Sequence, residues 1–258
     1  MVPWLLERPI RFPPVTAALR DPDGLLAAGG ALDPGWLLAA YRRGIFPWYG
    51  DDQPILWWSP DPRMVLFPEE LRVRRSLAKR LRHAGFTITA NRAFNAVMTA
   101  CAEPRAGQPG TWITDEMRAA YARLHALGAA HSVEVWQRER LVGGLYGVAL
   151  GPAFFGESMF TRVADASKVA LVHLARAMSS GGGRLIDCQM HTAHLASLGA
   201  RDIARAEFIG YLERWLGKPQ DVEPDALSFT PACWSFEAIG EPPGGPPVNA
   251  TRSRREPS

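Results

Sequence analysis

Two carboxylates stand in stretches that offer them little water. Glu157 lies within Phe155-Gly156-Glu157-Ser158-Met159-Phe160, and Asp187 follows Leu185-Ile186 and precedes Cys188-Gln189. A carboxylate buried without partners is costly, so such residues are paired, hydrogen-bonded or functional. Strand alternation predicts Asp187 and Gln189 on one face and Cys188 on the other. Two readings of the acids stand side by side at this level. They are satisfied by backbone amides or buried arginines, or they form a site that orients a nucleophile and moves a proton. Trp48 and Trp112 lie in loops rich in Gly, Pro and Thr, which suits a stacking platform for a base or an apolar ligand. Trp57, Trp58 and Trp136 read as core.

Other chemistries find less support. Cys188, His191 and His194 recur every third residue, but a fourth zinc ligand at normal spacing is missing, so no metal is expected. Ser158 does not sit in a Gly-x-Ser-x-Gly elbow. Gly29-Gly30, Gly143-Gly144 and Gly181-Gly182-Gly183 lack both the P-loop Lys-Ser/Thr and the dinucleotide spacing. Neither nucleotide hydrolysis nor a redox cofactor is indicated.

The elements that must position these residues follow from period and capping. Asp33 as N-cap, Pro34 at the first helical position and Gly44 as a stop predict a helix with Trp36, Leu37, Ala40 and Tyr41 on its apolar face. Ile55 to Arg63 reads as irregular, because its prolines break any regular element. Residues 71–83 predict a short amphipathic helix. Its outer face carries Arg72, Arg74, Arg75, Lys79, Arg80, Arg82 and His83. A strand is expected over Phe86–Ala90, a helix over Ala93–Cys101, and a helix from the Thr114 cap to about Leu127. Ser132–Trp136, Leu141–Val148 and Ala153–Phe160 alternate as three antiparallel strands. A helix over Ser167–Met178, a buried strand over Leu185–Gln189 and a helix near Ala206–Leu216 follow. The sum is an α+β layer structure, similar to the core of the Gcn5-related N-acetyltransferase (GNAT) fold.

The 258 residues suffice for a sizeable core, and the formal charge of +3 excludes both a polycation and a strongly acidic chain. Three of the 29 basic residues are lysine and 26 are arginine, the better fork for phosphate. Cys101, Cys188 and Cys233 suggest no disulfide framework. No apolar run approaches a membrane span, and Arg8 and Arg11 follow Leu5 and Leu6, the wrong order for a signal peptide. A soluble cytoplasmic protein is expected. From Glu237 to Ser258 the chain is rich in Pro, Gly and Arg, and a disordered tail is expected there.

The ordered words Tyr41–Trp48 (YRRGIFPW), Ile55–Arg63 (ILWWSPDPR), Gly110–Thr114 (GTWIT), His131–Trp136 (HSVEVW), Gly156–Phe160 (GESMF), Leu185–Gln189 (LIDCQ) and His194–Gly199 (HLASLG) carry a resemblance. Over about residues 12–216 the chain resembles the leucyl/phenylalanyl-tRNA–protein transferase family. The resemblance implies a small N-terminal domain, residues 1–62, packed on a GNAT-like acyltransferase domain, residues 63–236, with no coenzyme A. It implies transfer of Leu or Phe, less readily Met, from aminoacyl-tRNA to the α-amino group of proteins beginning with Arg or Lys. Such transfer creates an N-terminal degradation signal. Asp187 and Gln189 are then expected at the catalytic centre. Trp48, Trp112, Leu145, Phe154, Glu157, Ser158 and Met159 are expected around the aminoacyl-adenosine end. Arg74, Arg75, Lys79, Arg80 and Arg82 are expected on the tRNA, and a monomer is expected. Two other classes remain open at this stage. One is a coenzyme-A-dependent N-acetyltransferase, for which no phosphate nest is visible. The other is a noncatalytic RNA-binding module, which leaves Asp187-Cys188-Gln189 unexplained.

Overall fold

A two-residue turn at Arg138 and Glu139, both at positive φ, joins the two strands β7 (Ala130–Gln137) and β8 (Arg140–Leu150). Mirror-image turns of this kind match the right-handed twist of the strands they connect. The computed structural model describes residues 1–104, 111–219, 229–237 and 239.

A first sheet is built from β1 (Trp4–Leu5), β2 (Leu25–Gly29), β3 (Phe46–Pro47) and β4 (Leu56–Trp58), in the order β1-β2-β4-β3. Helix α1 (Pro34–Arg42) lies between β2 and β3 in the chain. Asp33 caps it by accepting from the Trp36 amide at 2.9 Å. The second sheet contains β5 (Arg63–Leu66), β6 (Thr87–Ala90), β7, β8, β9 (Ala153–Thr161), β10 (Leu185–Gln189) and β11 (Arg201–Ile203). Its order is β11-β5-β10-β9-β8-β7-β6. The run β6 to β9 is an antiparallel meander; β9 and β10 are parallel.

Helices cover both faces of the second sheet. Against one face lie α2 (Arg75–His83), through Leu77, and α5 (Ala166–Gly181), with Leu145, Ala149, Phe154 and Ile186 of the sheet. Against the other lie α3 (Phe94–Ala102), α4 (Asp115–Ala126), α7 (Arg205–Leu216) and α1, with Tyr146, Val148, Phe155 and Leu185 of the sheet. The short α6 (Ala193–Ala196) connects β10 to β11. This is the mixed α+β class expected from the sequence.

Three expectations need correction. The Pro-rich stretch from Ile55 to Arg63 is not irregular, since β4 and the start of β5 lie in it. Pro60 and Pro62 stand between those strands, where no ladder amide is lost. The basic helix is shorter than residues 71–83. Pro68–Glu70 form a 3-10 turn, the Arg72 amide donates to Leu198 O, and Arg74 is the N-cap. The third concerns Asp187 and Gln189. Pairing with β5 shifts register between them, and Gln189 has φ 61°, so simple alternation does not hold at the end of β10. The Pro/Gly/Arg tail lies outside the described residues apart from Glu237 and Ile239, and Ile239 is buried.

Strand crossings leave no room at one glycine of β8. A Cβ at Gly147 would sit 2.1 Å from Phe155 O and 2.7 Å from the Phe154 ring. Gly147→Ala is therefore expected to destabilise the protein by about 1–3 kcal/mol. Gly210, inside α7 with open space around it, should gain about 0.5–1 kcal/mol on replacement by Ala. Urea unfolding midpoints of the two variants should move in opposite directions; a shared direction would contradict the packing described.

Candidate functional site

The site begins where two parallel strands part. β9 and β10 pair only from Ala153/Leu185 to Phe155/Asp187. Beyond that point β9 runs on to Thr161, while Gln189 turns to pair with Met64 of β5. Glu157 sits just past the split on β9. It is also the extra residue of a bulge, since Gly156 and Ser158 face the adjacent Gly147 and Tyr146 of β8. Gln189 stands on the opposite lip, and its Nε2 donates to Glu157 Oε1 at 3.2 Å.

Glu157 is buried, and two phenols serve it. Tyr41 of α1 donates to Oε1 at 2.6 Å, and Tyr121 of α4 donates to Oε2 at 2.8 Å. The two hydroxyls also touch each other. Burial pushes the Glu157 carboxyl up from 4.5 to about 7, against the two tyrosine hydrogen bonds and Arg63, which pull it down; Asp187 adds to the rise. Burial, followed by the Glu157 charge, holds both phenols well above their ordinary range, so both remain neutral donors.

Asp187 is served differently. Arg63, the first residue of β5, donates to both carboxylate oxygens at 2.7 Å, and both side chains are fully buried. Phe46 and Phe208 rings lie 4.8 Å from the guanidinium carbon, and Arg63 also donates to Gly44 O at 3.2 Å. Asp187 Oδ1 accepts from the Gln189 amide at 3.0 Å, which holds Gln189 in its left-handed conformation. Burial, then the Asp187 charge, pushes the Cys188 thiol up, so it is a poor nucleophile.

The remaining residues divide between the two faces. Leu145 and Met159 are direct cross-strand partners, and with Phe154 they lie on the α5 side of the sheet, opposite the Tyr41–Tyr121 side. Ser158, beside Glu157, is half-buried. Trp48 is 38% exposed, packs edge-on against Trp58, and accepts from the Trp58 indole N–H through its carbonyl. Trp112, half-buried, shortly precedes α4. Tyr49 donates to Glu116 at 3.3 Å, so the Trp48 loop is tied to the same end of α4 as Trp112. Among the described residues no hydrogen bond joins either tryptophan to Glu157. Arg74, Arg75, Lys79, Arg80 and Arg82 lie on or beside α2, mostly exposed, and Arg80 lies 3.9 Å from Asp165 at the start of α5. His191 pairs with Asp202 at 2.9 Å instead of joining Cys188.

Sequence reasoning missed three members of this cluster. Tyr41 read as an ordinary apolar-face residue of its helix, and Tyr121 lay within the helix expected from Thr114; the only signal was a hydroxyl on a face that must be buried. Arg63 read as the last letter of a Pro-rich loop. A third buried carboxylate, Glu134, is structural: it accepts from Thr89, Ser132 and the Ala93 amide before α3.

A split parallel pair with a buried carboxyl and an amide on its lips, and an apolar layer behind, offers the groups that an acyl-transfer class of enzyme would use. Sequence comparison narrows this class. The leucyl/phenylalanyl-tRNA protein transferase family matches residues 65–213, and the N-terminal domain of that family matches residues 30–61. A leucyl/phenylalanyl-tRNA–protein transferase from Chromohalobacter salexigens is 68% identical over 219 residues, 85% of this chain and 86% of its own. One from an Azoarcus species is 64% identical over 243 residues, 93% of this chain and 98% of its own. A solved GCN5-related N-acetyltransferase from Kribbella flavida aligns over 64% of this chain and 58% of its own at 14% identity and a TM-score of 0.32. The chain belongs to the leucyl/phenylalanyl-tRNA protein transferase family and is an aminoacyltransferase. No described helix is long and apolar enough to cross a membrane.

The raised Glu157 carboxyl sets a pH test. The folded protein holds this proton more tightly than the unfolded chain. That stability is fully present below about pH 4.5 and is lost as pH rises through about 7, about 3 kcal/mol in all. Glu157→Gln should therefore gain on the native chain in urea midpoint between pH 5 and pH 8. A difference that stays constant over that range would refute the burial-driven shift.

Proposed function

We propose that the protein transfers Leu or Phe, and less readily Met, from aminoacyl-tRNA to the α-amino group of proteins that begin with Arg or Lys. It would thereby create an N-terminal degradation signal in the cytoplasm. The observation that carries this reading is the Glu157–Gln189 hydrogen bond across the strand split, with an apolar layer on the far face. A donor entering the split would leave its ester at the lips and send its side chain toward Leu145, Phe154 and Met159. Trp48 and Trp112, near one end of α4, are offered as the adenosine contacts.

In the reaction, the acceptor amine attacks the ester carbonyl, the new amide bond forms, and the ester bond breaks to release the ribose hydroxyl. The ester supplies the activation, so no further cofactor is required. The amine has a pKa of about 7.7–8.0 and must lose a proton. Glu157, at about 7, is the matched acceptor for that proton. Gln189 orients the attacking nitrogen. Asp187 acts as a positioning residue, because taking a proton would cost it the Arg63 pair. The work of catalysis is then mostly alignment and exclusion of water.

Incubation with charged leucyl-tRNA and an Arg-initiated peptide should give the Leu-extended peptide, and acetyl-CoA should give no acetyl peptide. Glu157→Gln and Gln189→Ala should each lower kcat by about 10²–10⁴ with the fold retained. Near-native turnover in both would remove this pair from the reaction, whatever the family. Ile-tRNA should be used less well than Leu-tRNA, by about 1–3 kcal/mol of discrimination.

The exposed basic face of α2 is read as the grip on tRNA phosphates, which position the donor but do not specify it. Changing Arg75, Lys79 and Arg82 to Glu should raise KM for charged tRNA and lower its salt dependence, by a log–log slope of about 0.7–0.9 for each phosphate no longer neutralised. Transfer from a minimal aminoacyl-adenosine should stay unchanged; an equal decline there would make α2 a support of the active site.

A further inference from the structure

A cavity of about 790 Å³ lies away from the Glu157 cluster, at the turn between β7 and β8. Arg138, Arg140 and Arg162 line it together with Gln137, Leu141 and Val163. Arg138 and Arg140 line it without forming an ion pair among the described residues. Arg162 is shared: it pairs with Glu103, donates to Leu141 O at 3.2 Å and lies over the Phe160 ring. The one acidic residue of the turn is Glu139, which is exposed. We infer that this arginine-lined cavity is a second phosphate-binding site, which takes the polynucleotide backbone of the aminoacyl-tRNA donor upstream of its terminal adenosine. This rests on the donor reading above and extends it.

Three features of the fold support the assignment. The first is location. β9 runs from Glu157 at the split to Thr161 beside the cavity, four residues and roughly 13 Å on. The cavity is thus at the end of the sheet toward which the split opens. A terminal adenosine seated at the split cannot also fill it, whereas a continuous strand can cross both. The second is continuity with α2. Gln137 donates to Ala84 O at the C-cap of α2 at 2.8 Å, and Arg80 of α2 reaches Asp165, two residues beyond Val163. The cavity and the basic helix therefore form one surface. The third is chemistry. Arginine forks match phosphate oxygens, and two guanidinium groups without an ion-pair partner, flanking a solvent-open hollow, are available to bind them.

The test uses the full-length chain and three variants: Arg138→Glu with Arg140→Glu, Arg138→Gln with Arg140→Gln, and Glu139→Lys. Transfer is measured with charged leucyl-tRNA and, separately, with an aminoacyl-adenosine donor. The double Glu variant should raise KM for charged tRNA, and the double Gln variant should do so less. Glu139→Lys should lower it, an opposite sign that general damage does not produce. With two fewer phosphates neutralised, the log–log salt slope should shift by about 1.4–1.8, so the KM ratio of variant to native should fall about tenfold between roughly 50 and 200 mM salt. Transfer from aminoacyl-adenosine should be unchanged in all three. KM ratios within about twofold and independent of salt overturn the site, as does an equal decline with aminoacyl-adenosine. If the native chain itself transfers nothing from leucyl-tRNA, the donor reading has failed, and the inference that rests on it falls with it.

Discussion

The buried ion pair between Arg63 and Asp187 is the constraint on which the rest of the site depends. Two charges taken wholly out of water are costly to hold. They persist here because the pairing is bidentate and the guanidinium has a further acceptor in the Gly44 carbonyl. Arg63 reaches Gly44 beside the first sheet, Asp187 of β10, and the ring of Phe208 in α7. One side chain thus joins the N-terminal elements, the sheet and α7. Removing either partner of such a pair leaves an uncompensated buried charge, a cost of about 3–5 kcal/mol. The same pair sets the direction of Gln189. With one Asp187 oxygen accepting its amide, Gln189 leaves the β10 pleat and meets Glu157.

The two carboxylates are thereby given different characters by their neighbours. Asp187 faces a full positive charge in a bidentate pair. Glu157 accepts only from neutral hydroxyls and an amide, which compensate burial in part, and its proton affinity comes to rest near neutral pH. On the proposed reading, an acid poised there is matched to an amine nucleophile that is itself partly protonated at cell pH. Tyr41 and Tyr121 arrive from two different helices, so this balance requires α1, α4 and β9 to be packed together. It is a property of the assembled layers, and no one segment contains it.

On the proposed reading, the chemistry and the handling of the polynucleotide occupy different parts of the molecule. The reactive groups are buried at the split between β9 and β10. The arginines of α2 and of the β7–β8 turn lie at the surface, and the Gln137–Ala84 hydrogen bond joins their two elements. Charges held in water bind phosphate reversibly and with strong salt dependence, which suits a donor that must leave after one transfer.

Much of this was legible in the residues. The Asp33, Thr114 and Gly44 signals marked helix ends correctly, because capping is a local interaction. The alternating stretches marked β7 to β9, because a half-buried strand writes its period into the sequence. Glu157 and Asp187 stood out because charge in an apolar run demands a partner. The identity of that partner was not legible. Arg63 lies 124 residues from Asp187, and Tyr41 lies 116 from Glu157. No local rule encodes such distances. The strands β4 and β5 were hidden because the prolines between them resemble prolines within a loop. The left-handed turn of Gln189 was hidden because it answers to a register shift against β5, a strand distant in sequence. The class of fold and most of the elements are thus written in local period and composition. Which carboxylate is locked in an ion pair and which meets only hydroxyls and an amide is settled only in the folded chain, because it depends on a charge and two hydroxyls that packing brings together.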